Sequence, residues 1–503
     1  MSQVCENEQA GIPTVSLLYQ DQDECFHQAA ILGGTPNLRR VHVSRTLQGP
    51  EDVDRFLPAV FDALLRPLTK KEREGGSYTI NDKRVLFEGT LDEAQDFYQQ
   101  TENISSLKNN APISLYTDGL PIIIPTEERV AKMLKGTSHK PDELIVNQAD
   151  RGGFMMRGAD RAAGAATGPG GAFGQGAFGG FKKGAAIQFQ PVRRTATVEK
   201  VAINGVMAGC KPEYMPLLLA IAEAGGGGGM DGRGSQGYIV SGPFSKEIGM
   251  NCDVGIFGPG NPANRSIPRA GELMWRNFGG NVPNVTNCGV MGAPLFNCIP
   301  EDLDNLPPGW KGLNEEYDFK KTESIVYAAN LGRGGTTNIH RTEFSPGGYR
   351  AFQKSGHGGI ARRLGVKGQP GPKNWLGYML PELWAGREGG ITFLMLPQMA
   401  RHLYDAGFKS KDAVYEWIYK NSFRTMKEYR THSWPDVQTN AWNAIEKSSG
   451  KPWKELPDDY MVPFVSDPYE NCIIVTGGGE EYPQWLGARR PGGSPAYSID
   501  AWR

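Results

Sequence analysis

The sequence predicts an α/β protein: a partial parallel α/β layer at the N-terminus, then a larger α/β body with Gly-rich insertions. Three observations lead there. Short apolar runs of strand length alternate with helical patterns through residues 1–75. Four more such runs, at Gly237–Ser241, Ser324–Ala328, Ile391–Leu396 and Cys472–Thr476, are spread along residues 193–503 and alternate with amphipathic helices. Two long stretches hold too much glycine for either kind of element.

In chain order, Gly11–Tyr19 has the length and apolarity of a buried strand, and Asp21–Leu32 follows as a helix ending at Gly33-Gly34. Arg40–Val43 is a second strand and Glu51–Leu68 a second helix. Two strands are too few for an independent sheet, so this half-domain is expected to be completed by something else. Residues 76–150 read as a small connecting region. It contains a hairpin over Tyr78–Phe87, a helix after Thr90, the turn Thr117-Asp-Gly-Leu-Pro121, a strand at Pro121–Ile124, and a helix N-capped by Thr126 with Glu127 and Glu128 in its first turn.

Residues 151–192 form a Gly-rich loop, low in complexity over 152–184, which is either a surface loop covered by a partner or a lid closing its phenylalanines over a site. In the main body, residues 193–503, the expected helices are Ser245–Ile248, Ile267–Phe278 with Gly279-Gly280 at its C-cap, Gln398–Ala406 and Asp412–Phe423. Residues 331–375 form a second Gly-rich insertion with eight Lys/Arg and one acid, Glu343. It either packs against another subunit or solvent, or recognises an anionic ligand.

Composition narrows the function classes. Lys+Arg number 54 against 55 Asp+Glu, so no global charge favours nucleic acid. The longest apolar run, near Met215–Ala222, is too short to span a bilayer, and the first residues carry no basic-then-apolar secretory pattern. Seven dispersed cysteines with no Cys-x-x-Cys pair argue against a disulfide scaffold or a structural zinc site. The expectation is a soluble, cytoplasmic protein of a reducing compartment. His340 and His357 have no carboxylate–histidine spacing of a metal pair, so no metal site is expected, and no cofactor is identified.

The reactive groups concentrate in Arg194–Tyr214. An amphipathic helix stops at Gly209-Cys210 and restarts at Pro212, a residue suited to the first position of a helix. Cys210 is then expected just before a helix N-terminus with Lys211 beside it, an environment that favours a thiolate and lowers the thiol pKa. Glu213 and Tyr214 in the first turn are candidate acid/base groups. Lys200, Asn204 and Met207 follow helical spacing on the preceding helix and share a face. Cys210, Glu213, Tyr214 and Lys200 are thus the catalytic candidates. The competing reading makes Cys210 a small buried hydrophobe between two helices.

Two further clusters are candidate substrate contacts. Gly258–Arg269 leads into the helix bearing Arg276; Asn261, Asn264, Arg269 and Arg276, with Asn204 on the earlier helix, are candidate substrate contacts, and the loop could cradle an anion or simply make turns and caps. Eight asparagines lie between residues 251 and 297, more than turns alone require. The run Ile473–Glu480 drives a strand into Gly477, Gly478 and Gly479, whose backbone N–H groups could approach a ligand. Its spacing is not that of a P-loop or a dinucleotide fingerprint.

Ala10–Val15, Thr117–Pro121, Thr197–Tyr214, Gly258-Pro-Gly-Asn261 and the helix end Arg276-Asn-Phe-Gly-Gly280 together, in this order, resemble the UGSC-type (seleno)protein family, named for a Sec/Cys-Gly-Ser-Cys motif. The resemblance implies redox or nucleophilic chemistry by the namesake selenocysteine or cysteine. It also places that motif upstream of the Gly-Ile-Pro-Thr-Val strand, and no Cys-Gly-Ser-Cys occurs in this sequence. The expectation is a subunit of a hetero-oligomeric enzyme acting on a small organic molecule. A smaller α/β subunit would supply the missing half-domain. Thiol-dependent redox or reductive cleavage is the first reaction class. The alternatives are a lyase or hydrolase using Glu213, Tyr214 and the Asn/Arg loop, and a non-catalytic scaffold covering a catalytic partner.

Overall fold

The computed structural model describes residues 2–20, 23–32, 34–44, 53–76, 83–103, 112–149, 182–189, 194–225, 235–283, 286, 297–331, 339–341, 371–377, 392–428, 445–446, 449–463, 468–478, 484–486 and 496–503. The low-complexity stretch 152–184 and the basic insertion 331–375 lie almost wholly outside these residues.

At the N-terminus, β1 (Ser16–Leu18) and β2 (Arg40–His42) pair in parallel, Leu17 opposite Val41, with the helix Asp23–Leu32 as the crossover. Cys5, Phe26, Ala30 and Leu38 form its small core. Among the described residues no third strand joins this sheet. Leu17 on β1 is 50% exposed, and Phe61 and Leu65 on the helix Leu57–Leu65 are 56% and 80% exposed. The expected partial parallel layer is therefore present.

The connecting region keeps its caps. Thr90 and Glu93 form a reciprocal capping box on Leu91–Tyr98, and the Thr126 hydroxyl accepts from the Arg129 N–H at the start of Glu127–Leu134. A short antiparallel pair, β3 (Thr101–Asn103) and β4 (Pro112–Ser114), lies between them. Two expected β elements are not seen among the described residues. The hairpin over Tyr78–Phe87 falls partly outside the described residues, and 83–87 carry no strand. Pro121–Ile124 finds no strand partner, and the Ile123 N–H instead donates to the Met207 carbonyl at 3.2 Å.

Among the described residues the main body is built on two four-stranded sheets. In the first, β5 (Ser235–Ser241) runs parallel to β6 (Asn297–Pro300) and antiparallel to β7 (Ile325–Leu331). The C-terminal β14 (Ala496–Ser498) is added antiparallel to β7. In the second, β12 (Cys472–Val475) is parallel to β9 (Thr392–Met395), and β13 (Gln484–Leu486) lies antiparallel between β9 and β8 (Ile339–Arg341). A separate pair, β10 (Phe423–Thr425) with β11 (Met461–Pro463), is antiparallel.

Side-chain alternation along the strands orders the layers. Tyr238, Val240, Cys298, Val326 and Tyr497 pack against the helices Val198–Ala208, Met215–Glu223 and Pro262–Asn277. The residues between them, Ile239, Ile299, Ile325 and Tyr327, turn the other way and meet Leu394, Cys472 and Ile474 of the second sheet. Phe393, Met395, Ile473 and Val475 face outward again, onto Pro397–Asp405 and Lys411–Asn421. The body is therefore helix, sheet, sheet, helix. Ala94, Ile122, Ile124, Val130 and Met133 of the connecting region share the first core.

Candidate functional site

The expected interruption in Arg194–Tyr214 is present and its cause is local. Thr197 caps the helix Val198–Ala208 by accepting from the Lys200 N–H. Gly209 ends it at φ +83°, where the Gly209 N–H reaches the Val206 carbonyl and the Cys210 N–H the Gly205 carbonyl, both at 2.9 Å. That pair of bonds is a Schellman stop, and it needs a residue without a Cβ. Pro212–Tyr214 makes one 3-10 turn that leads directly into Met215–Glu223. Gly136 lets the preceding helix end approach this junction, since a Cβ there would stand 1.8 Å from the Pro212 carbonyl oxygen.

Cys210 sits at this corner, but it is not an activated thiolate. Burial pushes its thiol up to about 12, and a hydrogen bond with Ser266 and the nearby Arg269 charge offset only part of that. The expected lowering is thus reversed: Cys210 packs against the first core, beside Ser266 and Arg269 of Pro262–Asn277, and Lys211 is exposed. Glu213 is also exposed, its carboxylate 3.9 Å from Lys211. Tyr214 is buried, and its phenol is raised by burial, then by Glu213 and Cys210. Lys200 is exposed while Asn204 and Met207 are buried, so the three do not present one functional face. Asn204 instead fastens helices: it donates to the Lys200 carbonyl at 2.9 Å and accepts from Asn277 at 2.8 Å.

The charged groups that do converge belong to Pro262–Asn277. This helix starts five residues before the expected Ile267, because Pro262 occupies its first position and Pro268 is accommodated inside it. Arg265, Arg269, Glu272 and Arg276 recur at helical spacing along it. Arg269 forks onto Asp118, Nε to Oδ2 at 2.8 Å and Nη2 to Oδ1 at 3.0 Å, and also reaches the Pro121 carbonyl at 2.7 Å. Asp118 is held for this by its turn: it accepts the Leu120 N–H, and Gly119 takes φ +90°.

Glu272 and Arg276, one turn apart, make no ion pair with each other, and Glu272 makes no hydrogen bond or ion pair among the described residues. Its carboxyl is raised to about 7, chiefly by burial and then by Asp118, against the pull of Arg269. Arg276 Nη1 donates to the Asn281 carbonyl at 2.8 Å, but its Nε is buried with no acceptor. Burial lowers this guanidinium from its ordinary value, and Asp118 opposes that. Beneath them Gly271 passes Tyr238, whose hydroxyl would lie 2.6 Å from any Cβ placed there. The cluster therefore combines a carboxyl poised to exchange a proton near neutral pH with a guanidinium short of an anion.

The other predicted contacts serve the chain itself. Asn261 donates to the Gly255 and Gly258 carbonyls, and Asn264 exchanges bonds with the backbone of Asn251 at 3.0 and 2.8 Å. These amides stitch the 251–261 loop and are spent on it. The Gly477 N–H donates to the Cys252 carbonyl at 2.8 Å, and a Cβ on Gly478 would meet Val254 at 2.2 Å. The glycines thus permit close approach of their own chain, and Gly479 lies outside the described residues.

Sequence reasoning missed Asp118, Glu272 and the buried pair Lys411–Glu301. Glu272 was readable from its spacing between Arg269 and Arg276, and Asp118 from its Asp-Gly turn. Comparisons with family models, with curated proteins and with solved structures give no match for this chain.

Proposed function

We propose that the chain is a subunit of a hetero-oligomeric, cytoplasmic enzyme that acts on a small organic molecule by acid–base chemistry, in the lyase or hydrolase class. The observation that carries this reading is Glu272: a half-buried carboxyl with no ion-pair partner among the described residues, raised to about 7 and flanked by the Asp118–Arg269 pair and by Arg276. Such a group can take or give a proton at physiological pH. In this reading Glu272 is the general acid/base, replacing Glu213, and Arg276 binds. The first-expected thiol-dependent redox chemistry would need an ionised Cys210, which its burial disfavours.

Three of the segments that resemble the UGSC-type family meet at this cluster: Thr117–Pro121, the end of Val198–Ala208, and the helix end at Arg276. That convergence supports kinship with the family in the same reading. The smaller α/β partner is supported by the two-stranded β1–β2 sheet and the exposed Leu17, Phe61 and Leu65. A reducing compartment is supported by the free thiols of Cys5, Cys210, Cys252, Cys298 and Cys472.

The test is substrate depletion. The complex purified with its native partner is incubated with a cell's small-molecule extract, and consumed compounds are followed by mass spectrometry. Wild type and Cys210→Ser should deplete the same compound, and Glu272→Gln should not. Loss in Cys210→Ser with retention in Glu272→Gln would overturn the acid–base reading.

A further inference from the structure

We infer that the Nε side of Arg276 is the anchor for a small organic monocarboxylate, which it holds within one helical turn of Glu272. The inference deepens the acid–base reading and rests on it for the identity of the reacting group. Arg276 offers a planar fork of donors; among the described residues Nη1 donates to a neutral carbonyl, that of Asn281, and the buried Nε has no acceptor. A partly buried charge without a counter-charge is costly, and the cost is relieved by an ionised ligand that fills the open donor sites. Carboxylate geometry matches a guanidinium edge in two parallel bonds.

Among the described residues none supplies that carboxylate. Asp118, which acts electrostatically on Arg276, is already engaged in a two-pronged bond with Arg269. Glu272 is one turn away and has no hydrogen-bond or ion-pair partner among the described residues. Charge selects the ligand's valence. Asp118 and Arg269 cancel, so with Glu272 protonated the cluster carries the single positive charge of Arg276. A monoanion neutralises it. A dianion such as phosphate would leave excess negative charge facing Asp118.

A proton should therefore move with the ligand. The groups facing Glu272 are Asp118 from the preceding turn, Arg269 on its own helix and Tyr238 from β5. A carboxylate arriving at Arg276 adds a negative charge to this set and favours the protonated form of Glu272. Binding above neutral pH should take up a fraction of a proton and strengthen as pH falls toward neutrality.

The experiment is titration calorimetry of the full-length chain, in complex with its partner if one co-purifies, at pH 7.5. The probes are acetate, pyruvate, benzoate and inorganic phosphate, each in two buffers of different ionisation heat. At least one carboxylate should bind with proton uptake, and phosphate should bind more weakly. Arg276→Met should weaken the carboxylate on the order of tenfold or more, and Arg276→Lys should recover part of the loss. Circular dichroism confirms that both variants are folded. Absence of binding by all three carboxylates at millimolar concentration, phosphate binding as tightly as the best carboxylate, or unchanged affinity in folded Arg276→Met would each overturn the anchor. Proton uptake that persists in Glu272→Gln would instead overturn the role of Glu272 and leave the anchor standing.

Discussion

Arg269 grips Asp118 with two charged hydrogen bonds, 2.8 Å from Nε to Oδ2 and 3.0 Å from Nη2 to Oδ1. The pair joins two segments 151 residues apart and sets the field felt by Glu272 and Arg276. The Asp118 side chain is 6% exposed and that of Arg269 is 23% exposed, so the interaction is screened only in part.

Asp118→Asn removes a charge that raises Glu272 and frees an Arg269 that lowers it. Both effects run the same way, so Glu272 should move part of the way toward the ordinary carboxylate range, while burial, the larger cause, still holds it up. The loss of stability should be about 1–2 kcal/mol, below that of a fully buried pair because Arg269 retains some exposure. Urea unfolding measures the stability and carboxyl titration the shift. A Glu272 midpoint unchanged from wild type in the variant would mean that Asp118 does not act on it.

Cys210 should resist alkylation. With the thiol at about 12, the thiolate fraction at pH 8 is on the order of one in ten thousand. Iodoacetamide followed by peptide mass spectrometry should find Cys210 unmodified in the folded protein and modified once it unfolds. Faster labelling in the folded state than in urea would restore the activated thiolate.

Gly136→Ala tests the corner itself. The new Cβ would stand 1.8 Å from the Pro212 carbonyl and 3.1 Å from the Met215 Cβ, so backbone must move. The entropic gain of replacing glycine is about 0.4–1 kcal/mol, and overpacking costs roughly 1–3 kcal/mol. The net should be destabilising in a urea melt. A variant as stable as wild type would show that the junction yields easily.

The sequence made the local features legible and left the non-local ones hidden. Thr90, Thr126 and Thr197 are caps that act within three residues, and Gly209 and Pro212 stop and restart a helix through their own backbone preferences. The four long apolar runs are strands for the same reason, because burial on both faces leaves no polar alternation. Their arrangement into two sheets back to back was not legible. It depends on pairings such as Tyr238 with both Cys298 and Ala328, between segments far apart in the chain. The first five residues of the site helix, before the expected start at Ile267, were missed because they read as the end of an Asn/Pro loop. Asn261 and Asn264 looked like ligand contacts because the loop they tie together could not be seen. Glu272 looked like any acid on a helix, since its desolvation comes from tertiary packing.

A buried ion pair joins the layers away from this site. Lys411 Nζ lies 2.7 Å from Glu301 Oε1, with side chains 2% and 0% exposed, and Glu301 Oε2 also accepts from Ser241 and from the Leu313 N–H. Burial alone would pull the lysine down, but Glu301 and Glu316 hold it above its ordinary value. Lys411→Met leaves Glu301 buried without a counter-charge and should cost about 3–5 kcal/mol. Adding Glu301→Gln should recover part of this. A near-neutral Lys411→Met in thermal or urea unfolding would contradict that account.

The most direct test of the acid–base assignment is the titration of Glu272 itself, followed by NMR of protein labelled with 13C at the glutamate carboxyl and assigned by its absence in Glu272→Gln. Because the folded carboxyl is raised, it holds its proton above the unfolded value of 4.5, and the fold loses stability relative to the Gln variant as pH rises from about 4.5 to about 7. The account predicts a midpoint at about 7. A midpoint near 4.5, with the stability difference flat across that window, would contradict it.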